Sequence, residues 1–230
     1  MRDGTDAGVN TMRRVVAGII GFVTWVFLNP LSSSATDLSS FEFMLGDAWN
    51  FQTRLSVAQR EYPSIDLRAK YETRPFEKPL YWAFRFGFNR RESGAWELQF
   101  IHHKIHLSNT TEEIQHFEIT HGLNVVTFNR AFEALPITVR VGGGFVIAHP
   151  ESVVRGLSWY DEGGLFDSGY HLTGPAVTAG VGKDFQLTPH LFVVLEAQLV
   201  AAWAKVPIAQ GDATAPNVAL HGMAGFGYRF

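Results

Sequence analysis

Residues 79–90, PLYWAFRFGFNR, alternate without a break. Leu80, Trp82, Phe84, Phe86 and Phe88 fall on one phase, and Tyr81, Ala83, Arg85, Gly87 and Asn89 on the other. A period of two sends successive side chains to opposite faces of a strand, so the segment has a bulky apolar face and a face of small or polar groups. The same pattern recurs and predicts seven further strands, at residues 41–59, 95–107, 114–129, 136–149, 170–183, 190–205 and 216–230. Each is long enough to cross a bilayer at a tilt, which takes roughly 9–11 residues.

The connections alternate in length. NRRESG, AFEAL and DFQLTP are short, whereas 60–78, 108–113, 150–169 and 206–215 are mostly longer. Short turns on one side and long loops on the other, with an even strand count, describe an antiparallel barrel with both ends on the periplasmic side. A soluble barrel would hide its apolar phase inside, so alternation alone leaves the direction open. Side-chain volume resolves it. Gly142, Gly144, Gly174, Ala176, Gly180, Gly182, Gly225 and Gly227 share a phase with the charges, as a narrow interior requires, while the large apolar phase suits lipid. The fold class read from the chain is all-β: an eight-stranded antiparallel transmembrane β-barrel with a filled polar lumen.

With this pattern and the ending Phe226-Gly-Tyr228-Arg-Phe230, aromatic at alternate positions, the chain resembles the small eight-stranded outer-membrane β-barrel family. The resemblance implies residence in the outer membrane of a Gram-negative bacterium, contact with outer-membrane lipids including lipopolysaccharide, and handling by the barrel assembly machinery. It also implies a monomer. Barrels of this shape serve as anchors, adhesins, binders and enzymes, so it implies no single activity.

Residues 1–35 read as an export signal and 36–230 as the barrel. Met12-Arg13-Arg14 precedes VVAGIIGFVTWVFL, and Ser33-Ser34-Ala35 offers a small-residue exit; Met12 offers an alternative start. Removing Arg2, Arg13, Arg14, Asp3 and Asp6 from 19 basic and 22 acidic residues leaves 16 and 20, a formal charge of −4. That charge gives no reason to expect nucleic acid as a partner. The chain has no cysteine, which excludes disulfides and thiolate metal sites.

Glu42, Gln52, Arg54, Arg85, Glu97, Gln99, Arg140, Glu196, Gln198, His221 and Arg229 are expected inside, with Glu97, Asn124 and Arg140 near one level and Arg85 beside Gln99. Charges of both signs in a narrow lumen must pair, which predicts a plug and not a pore. The leading reading is therefore a structural or surface-interaction barrel with no cofactor.

Two sharper readings concern the outer ends of the strands. If the 108–113 turn centres between Thr110 and Thr111, His103 stands opposite Glu118, two residues from His116. His103, His116 and Glu118 would then converge inside as a set able to hold zinc or iron. On the outward phase, His106 and Ser108 lie two residues apart with Glu113 opposite Ser108. A base, a nucleophile and an orienting acid at the headgroup level would suit hydrolysis of a lipid acyl ester. His106-Leu107-Ser108-Asn109 resembles the HxSN motif of the lipid A deacylases, which implies His106 as base and Ser108 as nucleophile; the motif here lies far from the C-terminus, unlike in that family. Lys104, Trp159 and Tyr160 are binding candidates in the same outer region. The plain alternative is that imidazoles are tolerated at a lipid–water boundary. A single bulge in 95–107 would exchange the two faces above it, and His121, left facing lipid near mid-bilayer, points to such a slip.

Overall fold

The computed structural model describes residues 38–134, 136–160 and 163–230; the expected export signal lies outside them. Twelve strands occur among the described residues: β1 (Leu38–Phe51), β2 (Thr53–Gln59), β3 (Ile65–Ala69), β4 (Tyr71–Glu72), β5 (Trp82–Arg91), β6 (Gly94–Leu107), β7 (Ile114–Ala134), β8 (Ile137–Val154), β9 (Leu157–Trp159), β10 (His171–Gln186), β11 (Leu191–Ile208) and β12 (Gly211–Arg229). Eight close an antiparallel ring in the order β1-β5-β6-β7-β8-β10-β11-β12, and β12 returns to β1 from Ser40↔Arg229 to Phe51↔Val218. Closure leaves the ring no unpaired edge.

The outer surface carries Phe43, Leu45, Leu195, Leu199, Trp203, Leu220 and Phe226, all exposed. On β5 and β6 the outward rings of Trp82, Phe84 and Phe100 stack in a ladder. An exposed apolar belt of this extent belongs against lipid, and the architecture is that of the outer-membrane barrels. The inner glycines have a specific cause. A Cβ on Gly142 would stand 1.7 Å from Asn129 Oδ1, and one on Gly182 would stand 2.6 Å from Arg140 Nη1.

The lumen is filled in layers that can be followed along the inward phase of β11. Phe192 and Val194 come first, then Glu196, Gln198, Val200, Ala202, Ala204, Val206 and Ile208, all buried. At the Glu196 level, Arg85 meets Glu196 at 2.6 Å, Glu42 at 2.9 Å and Glu97 at 3.5 Å, and Arg140 meets Glu97 at 3.0 Å and Glu196 at 3.1 Å. Above them Gln99 and Gln198 exchange amide hydrogen bonds, and Asn129 donates to Gln99 at 3.1 Å. The next layer holds His221, with its Nδ1 2.9 Å from the Tyr81 hydroxyl, and His103, with its Nε2 3.2 Å from Thr73 Oγ1. Leu55, Ile105, Phe117, Ile119, Val200 and Val206 belong to the apolar core that fills the outer half.

Several sequence expectations change, among them the 150–169 loop, into which β8 runs as far as Val154 and which holds β9. The loop expected at 206–215 is strand: β11 and β12 remain paired to Ile208↔Gly211 around a two-residue turn whose Gln210 has φ 61°. Val206, Ile208, Ala213 and Ala215 are buried, so the apolar face continues beyond the belt and keeps the ladder going. The expected 41–59 strand divides at Gln52, so that Gln52 and Arg54, expected inside, are exposed, with Arg54 paired to Asp66; the 60–78 loop contains β3, paired with β2, and β4, paired with β6. Finally, β7 turns its other face inward. Phe117, Ile119, Val125, Thr127 and Asn129 are buried inside, so Asn129 and not Asn124 joins the polar layer. Leu123-Asn-Val-Val126 has apolar residues on both phases, which erases the period-two signal at that point.

Candidate functional site

The hairpin of β6 and β7 places the sequence-chosen residues. His106 pairs with Glu118, and a register shift follows between the His103↔Leu123 and Ile105↔Ile119 pairs. The turn centred between Thr110 and Thr111 would have set His106 opposite Gln115, three residues away. An odd offset exchanges faces. His116 and Glu118 therefore point outward while His103 remains in the lumen, its ring 4.8 Å from that of His221. The set His103, His116 and Glu118 is not brought together; only the last two meet, with His116 Nε2 3.3 Å from Glu118 Oε1.

His106, Ser108 and Glu113 bond to three different partners. His106 Nδ1 lies 2.8 Å from Glu118 Oε2, and its Nε2 is buried with no hydrogen-bond partner among the described residues. Ser108 Oγ donates to the Lys70 carbonyl at 3.1 Å. Asn109 accepts from the Lys70 amide at 2.7 Å and donates to the Arg68 carbonyl at 2.9 Å, so Ser108 and Asn109 of the HLSN segment dock the end of β3. Glu113 accepts from Arg155 at 2.7 Å. Lys104 directs its ammonium to the Glu77 carbonyl at 2.6 Å; Trp159 ends β9 opposite Ser152, and the exposed Tyr160 follows it.

Arg155 holds three surface turns together. It donates to Glu113, to Gln59 Oε1 at 3.3 Å and to the Pro63 carbonyl at 2.9 Å, and lies 4.8 Å from the Tyr62 ring. Arg155→Ala is expected to speed protease cleavage within 60–64 and 109–113 while the barrel's urea midpoint stays in place. Unchanged cleavage would show that the turns do not depend on the clamp.

The register that separates the expected sets assembles another. Along the outer rim of β6, β7 and β8 stand His106, His116, Glu118, Thr120, His121, His149 and Glu151. The shift between Ile119 and Leu123 lifts His121 out of the ladder, where it is exposed, with Nδ1 3.4 Å from Glu151 Oε1. Its ring is 4.9 Å from that of His149, which lies 4.9 Å from Tyr170 on the other side. The Tyr170 hydroxyl donates to the His121 carbonyl at 3.0 Å, and Thr120 donates to Glu151 at 2.9 Å. Glu118 and Glu151 are direct cross-strand partners. The patch stands beyond the pair His102↔Asn124, which is level with Trp82 at the edge of the aromatic ladder, and so lies above the lipid belt. Burial raises the Glu118 carboxyl, but the hydrogen bond with His106 and the charge of His116 outweigh it and hold it below the usual carboxylate range.

Ligand atoms of His121, His149 and Glu151 all lie within 4.8 Å of one another, as do those of His116, Glu118 and Glu151. Sequence reasoning missed Glu151 and His149. Their signal was the spacing His149-Pro-Glu151, two residues apart on one phase, obscured because the strand was expected to end at His149.

No protein-family model matches the chain, and no curated protein sequence matches it. Solved structures do. The attachment invasion locus protein Ail of Yersinia pestis is similar at 14% identity and a TM-score of 0.41, over 84% of this chain and all of that one. Neisserial surface protein A is similar at 8% identity and 0.43, over 86% and 100%. The outer membrane protein AlkL is similar at 12% identity and 0.43, over 87% and 94%. Identities this low carry no activity across.

Proposed function

We propose that this chain is a closed, monomeric outer-membrane barrel with a structural and surface-interaction role, in which the half beyond the lipid belt meets the outside. The observation that carries this reading is the filled lumen. Five buried charged groups, an amide layer, a tyrosine–histidine layer and an apolar core succeed one another along the axis. Ions could pass only by dismantling them. Such a barrel acts with its surface, and its strands here extend well past the belt: the β11–β12 ladder continues to Ile208↔Gly211 above Trp203. The return of β12 to β1 supports a monomer, since no strand edge of the ring is left to pair with a second copy.

Outer-leaflet lipid, including lipopolysaccharide, is the proposed neighbour of the belt, and the alternating aromatics Phe226, Tyr228 and Phe230 are the proposed mark read by the barrel assembly machinery. Reconstitution into a planar bilayer tests the central claim. The protein is expected to insert, as reported by resistance of the belt strands to protease, without producing stepwise ion conductance. Discrete conductance steps from the inserted barrel would replace this reading with a channel.

A further inference from the structure

Glu118 and Glu151 pose an electrostatic problem. Two carboxylates directly opposite on neighbouring strands repel, and both side chains are largely covered, at 17% and 19% exposure. Among the described residues their ion-pair partners are histidines alone: His106 and His116 for Glu118, and His121 for Glu151. No lysine or arginine joins them in such a pair. Lys104 is nearby and carries a positive charge, but its ammonium rests on the Glu77 carbonyl and not in an ion pair with either carboxylate. Imidazoles balance a pair of carboxylates only by carrying protons. They can, however, share a cation with them.

The spacing suits this. In a tetrahedral zinc site with bonds of roughly 2.0–2.1 Å, ligand atoms sit roughly 3.3–3.4 Å apart. His116 Nε2 to Glu118 Oε1 is 3.3 Å, and His121 Nδ1 to Glu151 Oε1 is 3.4 Å. Each pair already forms one edge of such a tetrahedron. The third donor of each group, Glu151 for the first and His149 for the second, lies within the 4.8 Å span of its set. Mixed imidazole and carboxylate donors favour zinc over calcium or magnesium, which prefer oxygen alone. His106, hydrogen-bonded to Glu118 at 2.8 Å, acts as an outer partner that orients the carboxylate.

We propose that the outer rim of β7 and β8 binds two zinc-class ions at adjoining positions, one held by His121, His149 and Glu151 and the other by His116 and Glu118, with Glu151 shared between them. Three donors at each position leave room for water or an external ligand. The site is independent of the closed lumen, so a conductance result does not bear on it.

The test is titration of zinc chloride into the purified, detergent-folded barrel by calorimetry, with the metal content of the dialysed protein measured in parallel. Wild type is expected to take up two equivalents. Glu151→Gln should lose both, while His116→Ala and His121→Ala should each keep one. Heat-modifiable gel mobility confirms that every variant is folded, and His190→Ala, altered at the periplasmic end, should bind as wild type does. Fewer than two equivalents in the folded wild type, or unchanged uptake in Glu151→Gln, overturns the proposal. For a second readout, cobalt(II) should give visible absorption of a tetrahedral site in wild type and none in Glu151→Gln. The same spectrum in both would also overturn it.

Discussion

Arg85→Leu is expected to lower the unfolding free energy of the barrel in detergent micelles by about 3–5 kcal/mol, the range found when one partner of a buried ion pair is removed. Arg85 is 1% exposed and faces Glu42, Glu97 and Glu196. Its loss leaves three carboxylates around Arg140 alone. The network is asymmetric, with three carboxylates and two guanidiniums, so Glu42→Gln removes the surplus charge and should cost much less. Arg85→Lys should recover only part of the loss, because a point-like ammonium cannot reproduce the guanidinium fork that reaches Glu42 and Glu196 together. Urea titration followed by tryptophan fluorescence measures all three variants. A loss below about 1 kcal/mol for Arg85→Leu would place the cluster with weakly coupled surface pairs and show that water reaches it.

Phe117→Ala should cost a comparable amount, about 3–5 kcal/mol, for a different reason. Phe117 is 1% exposed and belongs to the apolar core beyond the charged layers. Truncation leaves a cavity that the surrounding ladder cannot close, because β6, β7 and β8 are held in register on both sides. The damage should be local. Hydrogen exchange is expected to rise in β2, β3 and the outer parts of β6 and β7 and to stay low in the belt strands. Exchange rising equally throughout would mean that the two halves unfold as one unit. A loss under about 1 kcal/mol would mean that this half is not a packed core.

The two substitutions probe parts of the molecule that differed in how well they could be read from the chain. Arg85 sits in an unbroken alternation from Leu80 to Asn89, so its inward direction followed from period two, as did its place beside Gln99. Glu97, Arg140 and Glu196 were legible in the same way, because apolar neighbours flank each of them. Phe117 was hidden, because its neighbours His116 and Glu118 were expected to face inward in its place. Its strand passes through Leu123-Asn-Val-Val126, where both phases are apolar, and the turn before it admits more than one centre.

The outer rim shows the same division. His106, His116 and Glu118 were recognised as chemically capable, and His116 does meet Glu118, yet the expected cross-strand register was displaced by an odd number of residues, so Glu118 faces His106 and not His103. His121 looked misplaced in lipid and proves to stand on the irregularity between Ile119 and Leu123. Ser108 and Asn109 serve the backbone of Arg68 and Lys70, contacts that span about 40 positions of the chain and that no local pattern encodes.

Alternation and side-chain volume were enough to establish an eight-stranded barrel, the lipid-facing phase of most strands and an ion-paired lumen, because each of these depends on neighbours within a few residues. Which side chains oppose one another across β6, β7 and β8 depends on where a turn centres and where a bulge inserts residues. Those are set by the packing of the whole outer half, and there a displacement by an odd number of positions reverses every face above it.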